Sequence, residues 1–207
     1  MIIQTRLHKM GNMKTNYFKF FFKYILLIIV LITNNISQAR IGGDFVLQTY
    51  NNEKYVLSQS SKVKIIFFGF LNCPDICPTT LSDVSNLMNK LQGLSKNLEP
   101  IFITVDPKRD TPELLKNYLS FFDKRIVGLT GSQEQIEKVS NQYHVYYSYQ
   151  DSGNDSNKYT VNHTANIYLI DKDNNVEKIF ITGTPFSELY KYVNRYLMRE
   201  IKNLPLN

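Results

Sequence analysis

The segment that decides the fold is Phe67-Phe68-Gly69-Phe70-Leu71-Asn72-Cys73-Pro74-Asp75-Ile76-Cys77-Pro78. It contains the only two cysteines of the 207-residue chain. The apolar residues before them, 63–70, are typical of a buried strand, and an amphipathic helix is predicted from Pro78 onward. The N–H groups and dipole at a helix N-terminus favour negative charge, and hence thiolate. The sequence therefore predicts two reactive thiols between a buried strand and a helix.

Strands and helices alternate on both sides of this segment. Two further strands are predicted at 100–105 and 125–130, and helices at 78–91, 112–121, 132–143 and 185–198. Hairpins are predicted at 45–57 and 164–181, while the Tyr-, Ser- and Asn-rich residues 145–158 predict a mobile surface loop or loose hairpin. This order predicts an α/β three-layer domain with a mixed central sheet. It is similar to thioredoxin, with an added N-terminal hairpin.

The first 39 residues have the pattern of a targeting segment. They contain five of the 24 basic residues and no acidic residue, followed by an apolar run at 24–32. Ser37-Gln38-Ala39 offers the small residues of a cleavage site. A cleaved signal peptide and a retained membrane anchor both fit, and either predicts export of the domain at 40–207. The remainder has 19 basic and 18 acidic residues, which argues against nucleic-acid binding.

Three interpretations of Cys73 and Cys77 remain open from their spacing alone. A static disulfide would close so short a loop that it would remove little chain entropy. A dithiol that cycles with a disulfide fits a helix N-terminus, as in a thiol–disulfide oxidoreductase. Two thiolates also form part of a site for a soft metal such as Cu(I) or zinc.

The three histidines differ in their sequence context. His8 lies in the targeting segment, and His144 is predicted to be a partly exposed packing residue at a helix end. His163 directly precedes a predicted strand, and in a thioredoxin-like order this loop faces the dithiol. With Cys73 and Cys77 it would complete an S₂N set that suits copper.

Several segments together resemble the Sco/SenC family of copper proteins. The resemblance extends over about residues 41–198 and is carried by the segments at 41–45 (IGGDF), 69–78 (GFLNCPDICP), 105–112 (VDPKRDTP) and 161–165 (VNHTA). Leu71 departs from the pattern, since the family more often has Thr or Ser there. Leu71 also gives no support to a peroxiredoxin-like interpretation, which would need a peroxidatic cysteine with a supporting Thr and Arg.

The resemblance implies a membrane-tethered, thioredoxin-like domain that binds Cu(I), Cu(II) or both through Cys73, Cys77 and His163. It implies a copper chaperone that acts on the dinuclear copper site of cytochrome c oxidase subunit II, or with its assembly factors. The domain would lie on the outer, periplasmic or intermembrane-space face of an energy-transducing membrane. The alternative is a reductase that uses Cys73 and Cys77 as a redox dithiol. For Asp75, and for Asp106 with Arg109, we expect either roles in charge and docking or ordinary loop and helix-cap roles.

Overall fold

The computed structural model describes residues 23–24, 41–151 and 159–202. The chain falls into two compact units, Met1–Ala39 and Arg40–Asn207. Nearly all of the predicted targeting segment lies outside the described residues, so its identity as a signal peptide or anchor stays a prediction. Among the residues described, no helix is both long and apolar enough to cross a membrane.

A mixed sheet forms the centre of the second unit. Its strands are β1 (Val46–Thr49), β2 (Lys54–Val56), β3 (Val63–Gly69), β4 (Leu98–Thr104), β5 (Val127–Thr130), β8 (Ile167–Ile170) and β9 (Val176–Phe180). They lie in the order β2-β1-β5-β4-β3-β8-β9. The three central strands β3, β4 and β5 are parallel, whereas β1, β8 and β9 pair antiparallel with their neighbours. The predicted mixed sheet and N-terminal hairpin are confirmed.

Helices cover both faces of this sheet. They are α1 (Ile76–Lys90), α2 (Pro112–Leu119), α3 (Gln133–Gln142) and α4 (Phe186–Lys202). Side chains of β3 alternate between two hydrophobic clusters, because successive residues of a strand point to opposite faces. Ile65 and Phe67 pack with α1, α2 and α4 on one face, and Ile66 and Phe68 pack with α3 on the other. This confirms the predicted three-layer, thioredoxin-like architecture.

Short-range signals explain where two of the helices begin. Ser132 and Gln135 form a capping box at the start of α3. At α2, the Thr111 hydroxyl accepts a hydrogen bond from the Leu114 N–H, and Pro112 occupies the first helical position. Proline fits there because the first N–H of a helix has no intrahelical partner.

The described parts of residues 145–163 form a hairpin, the second of the two structures expected there. Its antiparallel strands, β6 (Tyr147–Asp151) and β7 (Tyr159–His163), form a second sheet. We refer to these two strands as the histidine hairpin, because β7 ends at His163. The next strand was expected from Thr164 but begins at Ile167, since the Thr164 N–H donates to the Tyr146 carbonyl oxygen at the hairpin base. His163 thus ends one strand instead of preceding the next.

Candidate metal centre

The two cysteines lie on either side of the junction between β3 and α1. Cys73 is half-buried in the loop, where its N–H donates to the Phe70 carbonyl oxygen, and Cys77 is buried in the first turn of the helix. The helix begins at Ile76, two residues before its predicted start. Pro78 is tolerated as the third helical residue because N–H groups of the first turn lack intrahelical acceptors.

Gly69 at the end of β3 allows the sulfur of Cys77 to approach the strand closely. A Cβ atom at this position would lie 2.8 Å from Cys77 Sγ and 2.8 Å from Phe102 Cε2. Both distances are far below ordinary van der Waals contact, so any larger residue would displace the sulfur or the ring. The absence of a side chain at Gly69 therefore lets Cys77 Sγ lie directly against β3.

His163 is oriented by its backbone neighbour. Its Nδ1 lies 3.0 Å from the Thr164 carbonyl oxygen, which can only accept, so Nδ1 carries the proton and Nε2 keeps a free lone pair. Nε2 lies 3.6 Å from Cys77 Sγ. The ring also packs at 86° against Phe70, with 5.7 Å between ring centroids. The imidazole therefore presents its unprotonated nitrogen to the dithiol.

The three side chains predicted from the sequence form one cluster. The two sulfurs and one imidazole nitrogen all lie within 4.8 Å of one another. Three ligand atoms around one ion at about 2.3 Å would stand about 4 Å apart, so small side-chain movements would bring these atoms to bonding distance. Within the described residues, no other group of three or more His, Cys, Asp or Glu side chains has this arrangement.

Burial controls the protonation of these groups. Burial raises the pKa of the Cys77 thiol above its ordinary value, and a hydrogen bond with Cys73 raises it further. Burial of the Cys77 sulfur thus opposes the thiolate that the helix N-terminus is expected to favour. Burial lowers the pKa of His163, which keeps the imidazole neutral and able to bind a metal. Metal binding would thus displace thiol protons.

The Asp110 side chain holds the backbone of the cysteine loop in place, a role that was not predicted from the sequence. Its carboxylate accepts hydrogen bonds from the Leu71 N–H at 3.1 Å and from the Thr104 hydroxyl. Asp110 does not cap the neighbouring helix α2, since Thr111 fills that position. Burial raises the pKa of Asp110 to about 6. The sequence signal that could have indicated this role is the pair Asp106 and Asp110, two acidic residues four positions apart that follow a buried strand.

The remaining candidates lie outside the cluster. His144 is exposed at the end of α3 with a φ of 53°, and takes no part in the cluster. Asp75 is exposed beside the cysteines, and its side chain makes no capping hydrogen bond to α1. Asp106 is buried and pairs with Arg109.

Comparisons with known proteins agree with the sequence resemblance. Residues 33–198 match the model of the SCO1/SenC family. The chain is 40% identical over 162 residues to a SCO2-like protein of Rickettsia prowazekii (strain Madrid E), covering 75% of this chain and 78% of that one. It is 36% identical over 142 residues to the mitochondrial SCO1 homolog of Homo sapiens, covering 67% of this chain and 47% of the human protein.

A solved structure of a relative shows the same fold. The structure of Bradyrhizobium japonicum ScoI with copper bound superposes with a TM-score of 0.68 at 38% identity, covering 75% of this chain and 99% of that one. The family model matches well over half of the chain and includes Cys73, Cys77 and His163. The chain belongs to the SCO1/SenC family.

Proposed function

We propose that the protein binds copper through Cys73, Cys77 and His163 and acts as a copper chaperone in cytochrome c oxidase assembly. The observation that carries this proposal is the convergence of two sulfurs and an unprotonated imidazole nitrogen within 4.8 Å. Thiolate and imidazole ligands suit Cu(I), and imidazole also suits Cu(II). Copper is the cargo here, and it would leave by ligand exchange with a recipient site.

The position of the cluster supports exchange with a partner. Cys73 and His163 are half-buried, so a recipient can reach them, whereas Cys77 is buried. The family resemblance points to subunit II of cytochrome c oxidase, with its dinuclear copper site, as the recipient. The Bradyrhizobium relative was solved with copper bound, and the human relative is mitochondrial.

The proposed cellular location rests on the pattern of the first 39 residues. Residues 1–39 would carry the domain across an energy-transducing membrane, as a cleaved signal or a retained anchor. The cluster would then work on the outer face, where an oxidant could join Cys73 to Cys77. Such a disulfide would consume both thiolates, so copper binding requires the reduced dithiol.

The alternative is a thiol–disulfide oxidoreductase that acts on cysteines of a respiratory subunit. It would use Cys73 and Cys77 without a metal. One observation favours the chaperone. A dithiol can exchange without the third ligand that His163 offers within 4.8 Å of both sulfurs.

The test is copper stoichiometry and thiol state of the protein purified anaerobically. We expect one copper per chain in the parent and none in Cys73→Ala. His163→Ala should weaken copper binding by more than about tenfold, a loss seen even for outer-shell partners, while Cys73 and Cys77 still oxidise. His144→Ala is the matched control and should bind like the parent. A metal-free parent that reduces a subunit II disulfide would instead support the oxidoreductase.

A further inference from the structure

The turn between β4 and α2, residues 106–110, contacts both the cysteine loop and the histidine hairpin. It is compact, because the N–H groups of Arg109 and Asp110 both donate to the Asp106 carbonyl oxygen, at 3.1 and 2.9 Å. Asp106 and Asp110 are 0% and 1% exposed. The turn also continues directly from β4, whose parallel neighbour β3 leads into the cysteine loop. It is therefore a rigid part of the central scaffold.

Asp110, at the end of the turn, holds the cysteine loop. The Asp110 carboxylate accepts from the N–H of Leu71, two residues before Cys73. The same carboxylate accepts from the Thr104 hydroxyl at the end of β4. The cysteine loop is thereby tied to the neighbouring strand through a single buried side chain.

The turn also holds the histidine hairpin. Arg109 pairs with Asp106 through Nε and donates from Nη1 to the Tyr159 carbonyl oxygen at 2.8 Å. Its guanidinium carbon lies 3.6 Å from the centroid of the Tyr159 ring, within the range of a cation–π contact. The Tyr159 hydroxyl donates to the Asp106 carboxylate at 2.7 Å. Three side chains thus form a closed set of contacts at the start of the strand that ends with His163.

The hairpin needs such contacts to hold its position. Its two strands pair only with each other among the described residues and form a sheet separate from the central one. A lone two-stranded hairpin is marginal in water, so packing against the domain must support it. Besides Tyr159, the described supports include the burial of Val161 and a hydrogen bond from the Tyr149 hydroxyl to the Val105 carbonyl oxygen, next to the turn.

We propose that the turn at 106–110 sets the distance between His163 and the cysteine pair, with Arg109 and Tyr159 as positioning residues for copper binding. The inference rests on the proposed ligand set of Cys73, Cys77 and His163. Arg109 and Tyr159 fix the hairpin to the turn, and Asp110 fixes the cysteine loop to the same turn. Releasing the hairpin would let Nε2 move relative to two sulfurs that stay in place.

The first test is a double-mutant cycle on Cu(I) affinity, measured by competition with a chromogenic chelator. Tyr159→Phe removes only the hydroxyl contact, and Arg109→Gln removes the ion pair and the ring contact. Each should weaken Cu(I) binding by about tenfold in the parent, the usual loss for an outer-shell partner. Neither should matter in a His163→Ala background, because the remaining two-thiolate site does not use the hairpin. An equal loss in both backgrounds would overturn the proposal.

The second test needs no metal and uses hydrogen–deuterium exchange of the full-length, reduced protein. Both variants should speed exchange in peptides from β7 and leave peptides from β3 and α1 unchanged. This separates the two proposals. If the parent binds no copper, the proposed function fails, yet the exchange data still decide whether the turn holds the hairpin. Unchanged exchange in β7 would refute the positioning role.

Matched controls break similar contacts elsewhere. Arg125→Gln removes an ion pair with Asp123. This pair lies just before β5, at the N-terminal end of the parallel strands, whereas the turn at 106–110 follows the C-terminal end of β4. Tyr192→Phe removes a hydroxyl bond to Glu177 of 2.9 Å. Neither control should change Cu(I) affinity by more than about twofold or alter exchange in β7, since distant sites act independently.

Discussion

The cysteine half and the histidine half of the cluster are built in different ways. Cys73 and Cys77 stand where a central strand enters a helix, with Gly69 and Asp110 fixing the backbone and sulfur positions. His163 ends a hairpin that lies outside the central sheet and is held by side-chain contacts. The two sulfur ligands thus lie at the end of a central strand, and the imidazole lies on a separate two-stranded sheet.

This difference suits a protein that must both hold and release a metal. Local stability varies across a structure, and elements with few buried contacts open at lower free energy. The dithiol lies where the central sheet enters a helix, while the strands of the hairpin pair only with each other among the described residues.

The largest expected effect concerns Asp110 and pH. The pKa of Asp110 is about 6 in the folded protein, against about 3.9 unfolded, because burial disfavours its charged form. The contribution of Asp110 to the free energy of unfolding is therefore most favourable below pH 3.9, where the group is protonated in both states. This contribution is lost as the pH rises through 6. Two pKa units correspond to about 3 kcal/mol. In metal-free protein, Asp110→Asn should gain that much stability relative to the parent between pH 4 and 7, measured by urea unfolding.

A control of opposite sign is available for that measurement. Hydrogen bonds from Arg125 lower the pKa of Asp123, so its contribution is lost as the pH falls. Asp123→Asn should therefore lose stability relative to the parent as the pH rises from acid to neutral. If Asp110→Asn and Asp123→Asn showed the same trend, Asp110 would not be a buried, costly carboxylate beneath the cysteine loop.

Gly69→Ala should have a somewhat smaller effect on the cysteine half. The new methyl group would meet Cys77 Sγ and the Phe102 ring, both at 2.8 Å, inside a packed core. Overpacking of this kind costs about 2 kcal/mol in the free energy of unfolding, measurable in urea. Gly93→Ala is the control, since a Cβ atom at Gly93 has no neighbour within 4 Å. Equal costs at the two positions would show that the sulfur of Cys77 is not fixed by the strand.

The smallest expected effect concerns the histidine half. Val161 is the buried residue in the middle of β7, and Val161→Ala removes two methyl groups, worth about 1.5 kcal/mol. We expect the loss to appear as faster amide exchange in β6 and β7, with little change in global stability. Val193→Ala, in the buried face of α4, should instead lower the global free energy of unfolding. If both variants lowered global stability alike, the hairpin would be an integral part of the core.

The same contrast explains what the sequence could predict. The cysteine half was predictable because apolar runs and helix periodicity are local signals, and they mark β3 and α1 directly. The hairpin was ambiguous because residues 147–151 and 159–163 contain tyrosines and polar residues, and its support comes from distant groups. The contact between Tyr159 and Asp106 joins residues 53 positions apart, which periodicity cannot reveal.

The roles of buried polar residues were the other feature that could not be predicted from the sequence. The Asp110 carboxylate supports the cysteine loop, 39 residues earlier in the chain. Lys64 lies in the buried strand β3 and is 0% exposed, with its Nζ donating to Asn174 at 2.7 Å. Both depend on partners that only the folded topology brings together. Recognition of the Cys73, Cys77 and His163 set needed motif order, since spacing alone left three interpretations open.

The burial of Cys77 against Gly69 makes the two thiols unequal. Cys77 is 4% exposed, while Cys73 lies half-buried in the loop at the surface. A ligand on another protein that approaches from the surface therefore reaches Cys73 before Cys77. Cys73 is the outer member of the pair and Cys77 the inner one, so ligand exchange with a partner would begin at Cys73.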